Sequence, residues 1–163
     1  MLTLLGHLAD GMPVVDRSSS HLHLDVVRLL PATLVRIQSA GRSFLVEEVD
    51  FGRPVGETIC VTTKPGDQIV YAQRPRRFGL TRFVMGRCAE ACSSVVVILK
   101  QDEGGGYYVL ITAFIGQKAE PEPWDRNATE QSEAFWSSHA LIWGSEPVVP
   151  GTVQPEQELV GAL

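Results

Sequence analysis

The reading of this chain turns on S-S-V-V-V-I-L-K (93–100) and Y-Y-V-L-I-T-A-F-I-G (107–116), two nearly continuous apolar runs joined by Q-D-E-G-G-G (101–106). Rich in Val, Ile, Tyr and Phe and bounded by Gly, the runs read as buried strands and the link as a hairpin turn. No other stretch is apolar enough on both faces to sit deeper. The hairpin is therefore expected at the centre of the sheet, with neighbouring elements supplying functional groups around its edges. A hydroxyl interrupts the second run at Thr112. Strict alternation puts it on the face of Leu110 and Phe114, where it either bonds to backbone or looks into a cleft.

A chain of 163 residues with 44% hydrophobic content suits a single domain with an ordinary core. Its formal charge of -5 argues against a surface that is a nucleic-acid platform throughout, while leaving room for a local basic site. No apolar run approaches the roughly 18 residues of a membrane span, and the opening M-L-T-L-L-G-H-L-A-D lacks the basic start and cleavage site of a secretory signal. The expected setting is the cytoplasm, with no membrane partner. Three cysteines, an odd number, fit free thiols. Cys88 and Cys92 form a C-x-x-x-C pair with no second pair behind it, so no metal or cofactor is expected.

Upstream of the hairpin, residues 1–20 are weakly patterned and end in D-R-S-S-S, which suggests a loose arm. H-L-H-L-D-V (21–26) then alternates, as a half-buried strand would, with His21, His23 and Asp25 on its polar face. That face is either solvated or a proton-transfer or metal cluster. Residues 29–53 hold short apolar runs broken by Pro31, Gly41 and Gly52, compatible with short strands or one short helix. E-T-I-C-V-T-T (57–63) and D-Q-I-V-Y-A (67–72), separated by K-P-G, continue as a meander of antiparallel strands.

Tyr71 to Arg87, Y-A-Q-R-P-R-R-F-G-L-T-R-F-V-M-G-R, carries Arg74, Arg76, Arg77, Arg82 and Arg87 and no acidic residue. Arginine suits fork-like bonding to phosphate, and Tyr71, Phe78 and Phe83 offer rings to unstacked bases. The competing reading is a solvated edge strand guarded by charge. Past the hairpin, a proline-rich entry gives way to a helix that starts from about Asn127 or Thr129, carries Glu130 and Glu133 near its positive end and stops at Gly144. Helical spacing sets Phe135, His139, Ile142 and Trp143 on one stripe, making His139 either a core histidine or an imidazole at the rim of a cleft. Residues 145–163, with three Glu, three Pro and no basic residue, read as a mobile acidic tail.

The expected fold is thus α+β: one domain over 21–144, a central antiparallel sheet and a C-terminal helix packed on it. The order of a His-bearing early strand, R-P-R-R-F-G-L-T-R-F-V, V-V-V-I-L-K and Y-V-L-I-T-A-F-I-G resembles the barnase, EndoU, colicin and RelE-like (BECR) ribonuclease superfamily across about His21 to Gly116. P-W-D and F-W-S-S-H-A-L-I-W follow as in phage or bacterial toxin-like members. The resemblance implies a small α+β domain that cleaves RNA without metal. It would make His23 or His21 a base, give Arg77 or Arg82 the scissile phosphate, and let Thr112 orient it. An inhibitor of the antitoxin kind would be a possible protein partner.

Elementary chemistry agrees in kind: RNA carries its own nucleophile, so cleavage needs a base, an acid and cations for the developing charge. Walker, G-x-S-x-G, H-E-x-x-H and dinucleotide glycine signatures are absent from the sequence. The leading expectation is a metal-independent endoribonuclease using His21, His23, Arg82, Thr112 and His139. Substrate would be held by Tyr71, Arg74, Arg76, Arg77, Phe78 and Phe83. Alternatives are a non-catalytic RNA- or protein-binding module using the arginine patch, and a metal-dependent enzyme built on His21, His23 and Asp25.

Overall fold

The computed structural model describes residues 2–17, 22–149 and 154–155. It is a mixed α+β chain, mostly strands, with two helices and several sheets among the described residues. The chain divides into two compact units, Met1–Glu57 with Ala91–Lys118, and Thr58–Glu90 with Ala119–Leu163. The single central sheet expected from the sequence is therefore replaced by two five-stranded sheets, one in each unit, and a two-stranded ladder.

The first unit holds β1 (Thr3–His7), β2 (Pro13–Asp16), α1 (Leu24–Leu34) and β3 (Phe44–Asp50). After β4 (Gly56–Thr58) the chain leaves it, through β5 (Cys60–Thr62), β6 (Gln68–Gln73) and β7 (Leu80–Met85), and returns within β8 (Glu90–Cys92), followed by β9 (Ser94–Gln101) and β10 (Tyr108–Ile115). The expected hairpin is present. β9 and β10 run antiparallel, with Leu110 opposite Leu99 and Ala113 opposite Val97, and lie inside the order β1-β2-β10-β9-β3. Val95, Val97, Leu99, Tyr108, Leu110 and Ala113 join Val26, Leu30 and Leu34 of α1 in one core.

Three expectations about this unit are corrected. The N-terminal segment is not a loose arm, because β1 and β2 pair antiparallel and β2 also pairs parallel with β10. The stretch from His23 is not a strand: Leu24–Leu34 is helical, with His23 accepting the Asp25 N–H at its N-cap. Alternation over six residues was outweighed by the longer spacing of Val26, Leu30, Thr33 and Leu34, which lines one helical face. Thr112 does not share the face of Leu110, since the register shifts between Leu110 and Thr112. This bulge leaves Ile111 exposed and moves the core-facing parity to Ala113 and Ile115.

The second unit adds α2 (Glu130–Ser138), β11 (His139–Ile142) and β12 (Gln154–Pro155) to β5, β6 and β7, in the order β12-β6-β7-β11-β5. Val61, Ile69, Val84, Ala140 and Ile142 pack on one face of this sheet, and Val70, Ala72, Phe83 and Leu141 pack with Trp136 of α2 on the other. Thr129 caps α2 as expected, in a reciprocal capping box with Ser132. The helix nevertheless ends before His139, not at Gly144. H-A-L-I is buried on both faces between β5 and β7, so alternating strand burial prevails over the helical stripe. Of the expected acidic tail, Val148 packs on the Trp136 cluster, Val149 donates its N–H to the Gln73 carbonyl, and β12 pairs with β6.

Candidate functional site

The expected catalytic residues fall in different units. His23 and Thr112 belong to the first; Arg82 and His139 belong to the second, as do all the expected substrate-binding residues. His21 lies outside the described residues. His23 is largely exposed, and its Nδ1, 3.5 Å from the Asp25 carboxylate, takes part in capping α1. The His139 ring stacks on Phe135 at 3.9 Å between centroids, with its Nδ1 2.9 Å from the Phe135 carbonyl. Both histidines thus have structural duties. Among the described residues, no group of three or more His, Cys, Asp or Glu has the arrangement to hold a metal ion.

The basic segment is divided by its own fold. Arg74 sits between Glu122, at 3.2 Å, and Glu146. Arg87 reaches Asp67 at 2.9 Å and Glu90 at 2.7 Å; the Lys64 backbone N–H and then this guanidinium hold the Asp67 carboxyl below its ordinary range. Arg82 donates to the His139 carbonyl and to Thr63. Phe83 is fully buried and meets Trp143 edge-on, so it is a core residue and not a stacking platform. Arg76, Arg77 and Phe78 remain exposed.

Arg76 and Arg77 lie in a turn whose geometry is unusual, and Phe78 follows it. Arg77 donates its N–H to the Arg74 carbonyl around Pro75 and Arg76, and Arg76 has φ of 63°. Proline followed by a left-handed residue is the signature of a type II turn, in which the second place ordinarily belongs to glycine. An L-side chain there costs roughly 1–2 kcal/mol. Gln73 closes the turn by donating its side-chain amide to the Arg77 carbonyl.

Directly after the turn, Gly79 lies under an indole. A Cβ built on Gly79 would stand 2.1 Å from the Trp124 ring, so only glycine admits this approach. Phe78 meets the same indole edge-on at 4.9 Å. Trp124 forms one wall of a pocket of about 540 Å³ within the second unit, together with Tyr71, Leu80 and Trp136. Such a volume is ordinary for a small-ligand site. Trp136 is fixed by its Nε1–H, which donates to the Glu120 carbonyl at 2.7 Å. Arg82, Glu122, Glu133 and Ser137 supply the polar lining.

Of this pocket, Tyr71 and Arg82 were legible as site residues; Trp124, Glu122 and Glu133 were not assigned to it. The available signal was F-G followed far downstream by P-W-D, a glycine that permits close approach and an aromatic ring to make it, but nothing in linear spacing joins them.

The thiols offer a check on these surroundings. Burial, and after it the charge of Glu122, pushes the Cys60 thiol up to about 11, whereas Cys88 is exposed. At mildly alkaline pH, alkylation of native Cys60 is expected to run about 100-fold slower than that of an ordinary thiol of 9.0, with Cys88 modified first. Peptide mass mapping would detect the order. Equal rates at the two sites would contradict the packing around Cys60.

No protein-family model, curated protein or solved structure matches this chain.

Proposed function

We propose that the protein is a non-catalytic module that binds single-stranded RNA through its second unit. The pocket takes an unstacked base, and the adjoining R-P-R-R-F-G turn meets the phosphates. The observation that carries this reading is Arg76: an exposed arginine held at a left-handed position, in the turn whose next residues pack on the Trp124 wall. Strain kept where glycine would relieve it points to a use for the side chain. Tyr71, Trp124 and Trp136 supply rings on which a base can stack, and Arg76 and Arg77 supply the forks that recognise phosphate.

Binding is favoured over cleavage because it requires no acid–base pair. Cleavage would need an acid and a base around one phosphate; His139, the histidine of this unit among the described residues, is held at Nδ1 by the Phe135 carbonyl and stacked on its ring. RNA incubated with the protein in the presence of a chelator is expected to be recovered intact. Fragments ending in 2′,3′-cyclic phosphate would restore the endoribonuclease reading in its place.

The test of binding is its salt dependence. Two phosphate contacts on a single strand predict that log K falls with log salt with a slope of about 1.4 from these residues, and that Arg76→Ala/Arg77→Ala removes that share. Arg76→Gly separates use from stability. It is expected to raise stability by about 1 kcal/mol, because glycine accepts the left-handed conformation, while weakening RNA binding. A variant that gains stability and binds RNA as tightly as before would show that Arg76 holds no phosphate.

A further inference from the structure

Resting on the RNA-binding reading above, we propose that the pocket selects guanine, with Glu133 as the residue that reads it. Aromatic walls do not discriminate among bases, since every base has a face to stack. Selectivity must therefore come from the polar lining, and most of that is already engaged. Glu122 is paired with Arg74, Arg82 donates to the His139 carbonyl and to Thr63, and the Ser137 hydroxyl donates to the Ala134 carbonyl. Glu133 is different. It lines the pocket from the first turn of α2 as an exposed side chain, and its carboxylate, with no hydrogen bond or ion pair among the described residues, is open to a ligand.

An ionised carboxylate only accepts, and its two oxygens suit two parallel N–H donors. Guanine is the one base of the four that presents such a pair, N1–H beside N2–H, on a single edge. Adenine and cytosine set a ring nitrogen acceptor next to their amino group, which a carboxylate repels. Uracil offers one N–H between two carbonyls.

The test is a fluorescence titration of the full chain with uridine oligomers that carry one central guanosine, adenosine or cytidine, all at one salt concentration. The guanosine oligomer is expected to bind about 10-fold or more tightly than the others, and Glu133→Gln is expected to bring it to within about 2-fold of them. Equal affinity of the wild type for all the oligomers would overturn guanine selection while leaving the RNA-binding reading in place. A preference that survives Glu133→Gln would overturn the role of this residue. Absence of binding to every oligomer would remove both readings together.

Discussion

Replacing Arg74 by alanine is expected to destabilise the second unit by about 3–5 kcal/mol, the cost of leaving a buried charge without its partner. The Arg74 side chain is 20% exposed and that of Glu122 only 10%, so neither group falls back on full hydration when the other is lost. Glu146, at 29%, recovers more water and suffers less. The asymmetry extends to the reciprocal change: Glu122→Gln leaves Arg74 with Glu146 and should cost less than Arg74→Ala. All three tryptophans, Trp124, Trp136 and Trp143, lie in this unit, so a urea titration followed by their fluorescence reads its unfolding directly. The variant also separates two roles for arginine in this segment. If Arg74 held phosphate, its loss would weaken RNA binding and leave the urea midpoint near that of the wild type; that result would contradict the ion pair as the reason for the residue.

The same contrast explains how far the sequence could be read. Nearest-neighbour pattern was a good guide where one physical demand acts alone. The 93–116 hairpin is joined by glycines and folds antiparallel as its composition indicates, with β9 buried through most of its length, although Ile111 and Phe114 of β10 stay exposed. Thr129 as a helix cap is likewise a local matter, settled by hydroxyl and backbone within three residues. Failures occur where two patterns overlap. H-L-H-L-D-V carries both an alternating and a helical apolar set, and only the packing of Val26, Leu30 and Leu34 against the first sheet decides between them. H-A-L-I presents the opposite case, a helix continuation by spacing that becomes a strand because β5 and β7 offer partners on both sides. The bulge that turns Thr112 away from Leu110 leaves no mark in composition.

Charge was harder to read than hydropathy for a related reason. Five arginines without an acidic residue among them looked like one basic surface, but Glu122, Glu146, Asp67 and Glu90 come from outside that segment to neutralise Arg74 and Arg87. Which cations stay available is a question of tertiary contact, and linear clustering cannot answer it. The pocket shows the same limit, since its walls come from β6, β7, the segment before α2, and α2 itself.

Substituting Trp124 by alanine is expected to weaken single-stranded RNA binding by about 1–3 kcal/mol, roughly 5- to 150-fold in Kd, because the lost wall is a stacking surface for one base. Truncation alone would leave a doubt, since removing a large ring also disturbs packing. Gly79→Ala addresses it from the opposite side. It keeps the indole but places a Cβ 2.1 Å from the ring, a separation that no relaxed contact allows, and the ring is joined to a backbone that can yield only by moving the pocket wall. Two variants of opposite sense, one removing the ring and one displacing it, should therefore share a binding defect. Trp143→Phe serves as the control, because Trp143 packs on Phe83 and does not line the pocket. It should lose fluorescence but retain affinity. Measured by competition with a labelled oligomer, so that the readout does not depend on the tryptophans themselves, full affinity in both Trp124→Ala and Gly79→Ala would place RNA elsewhere on the protein.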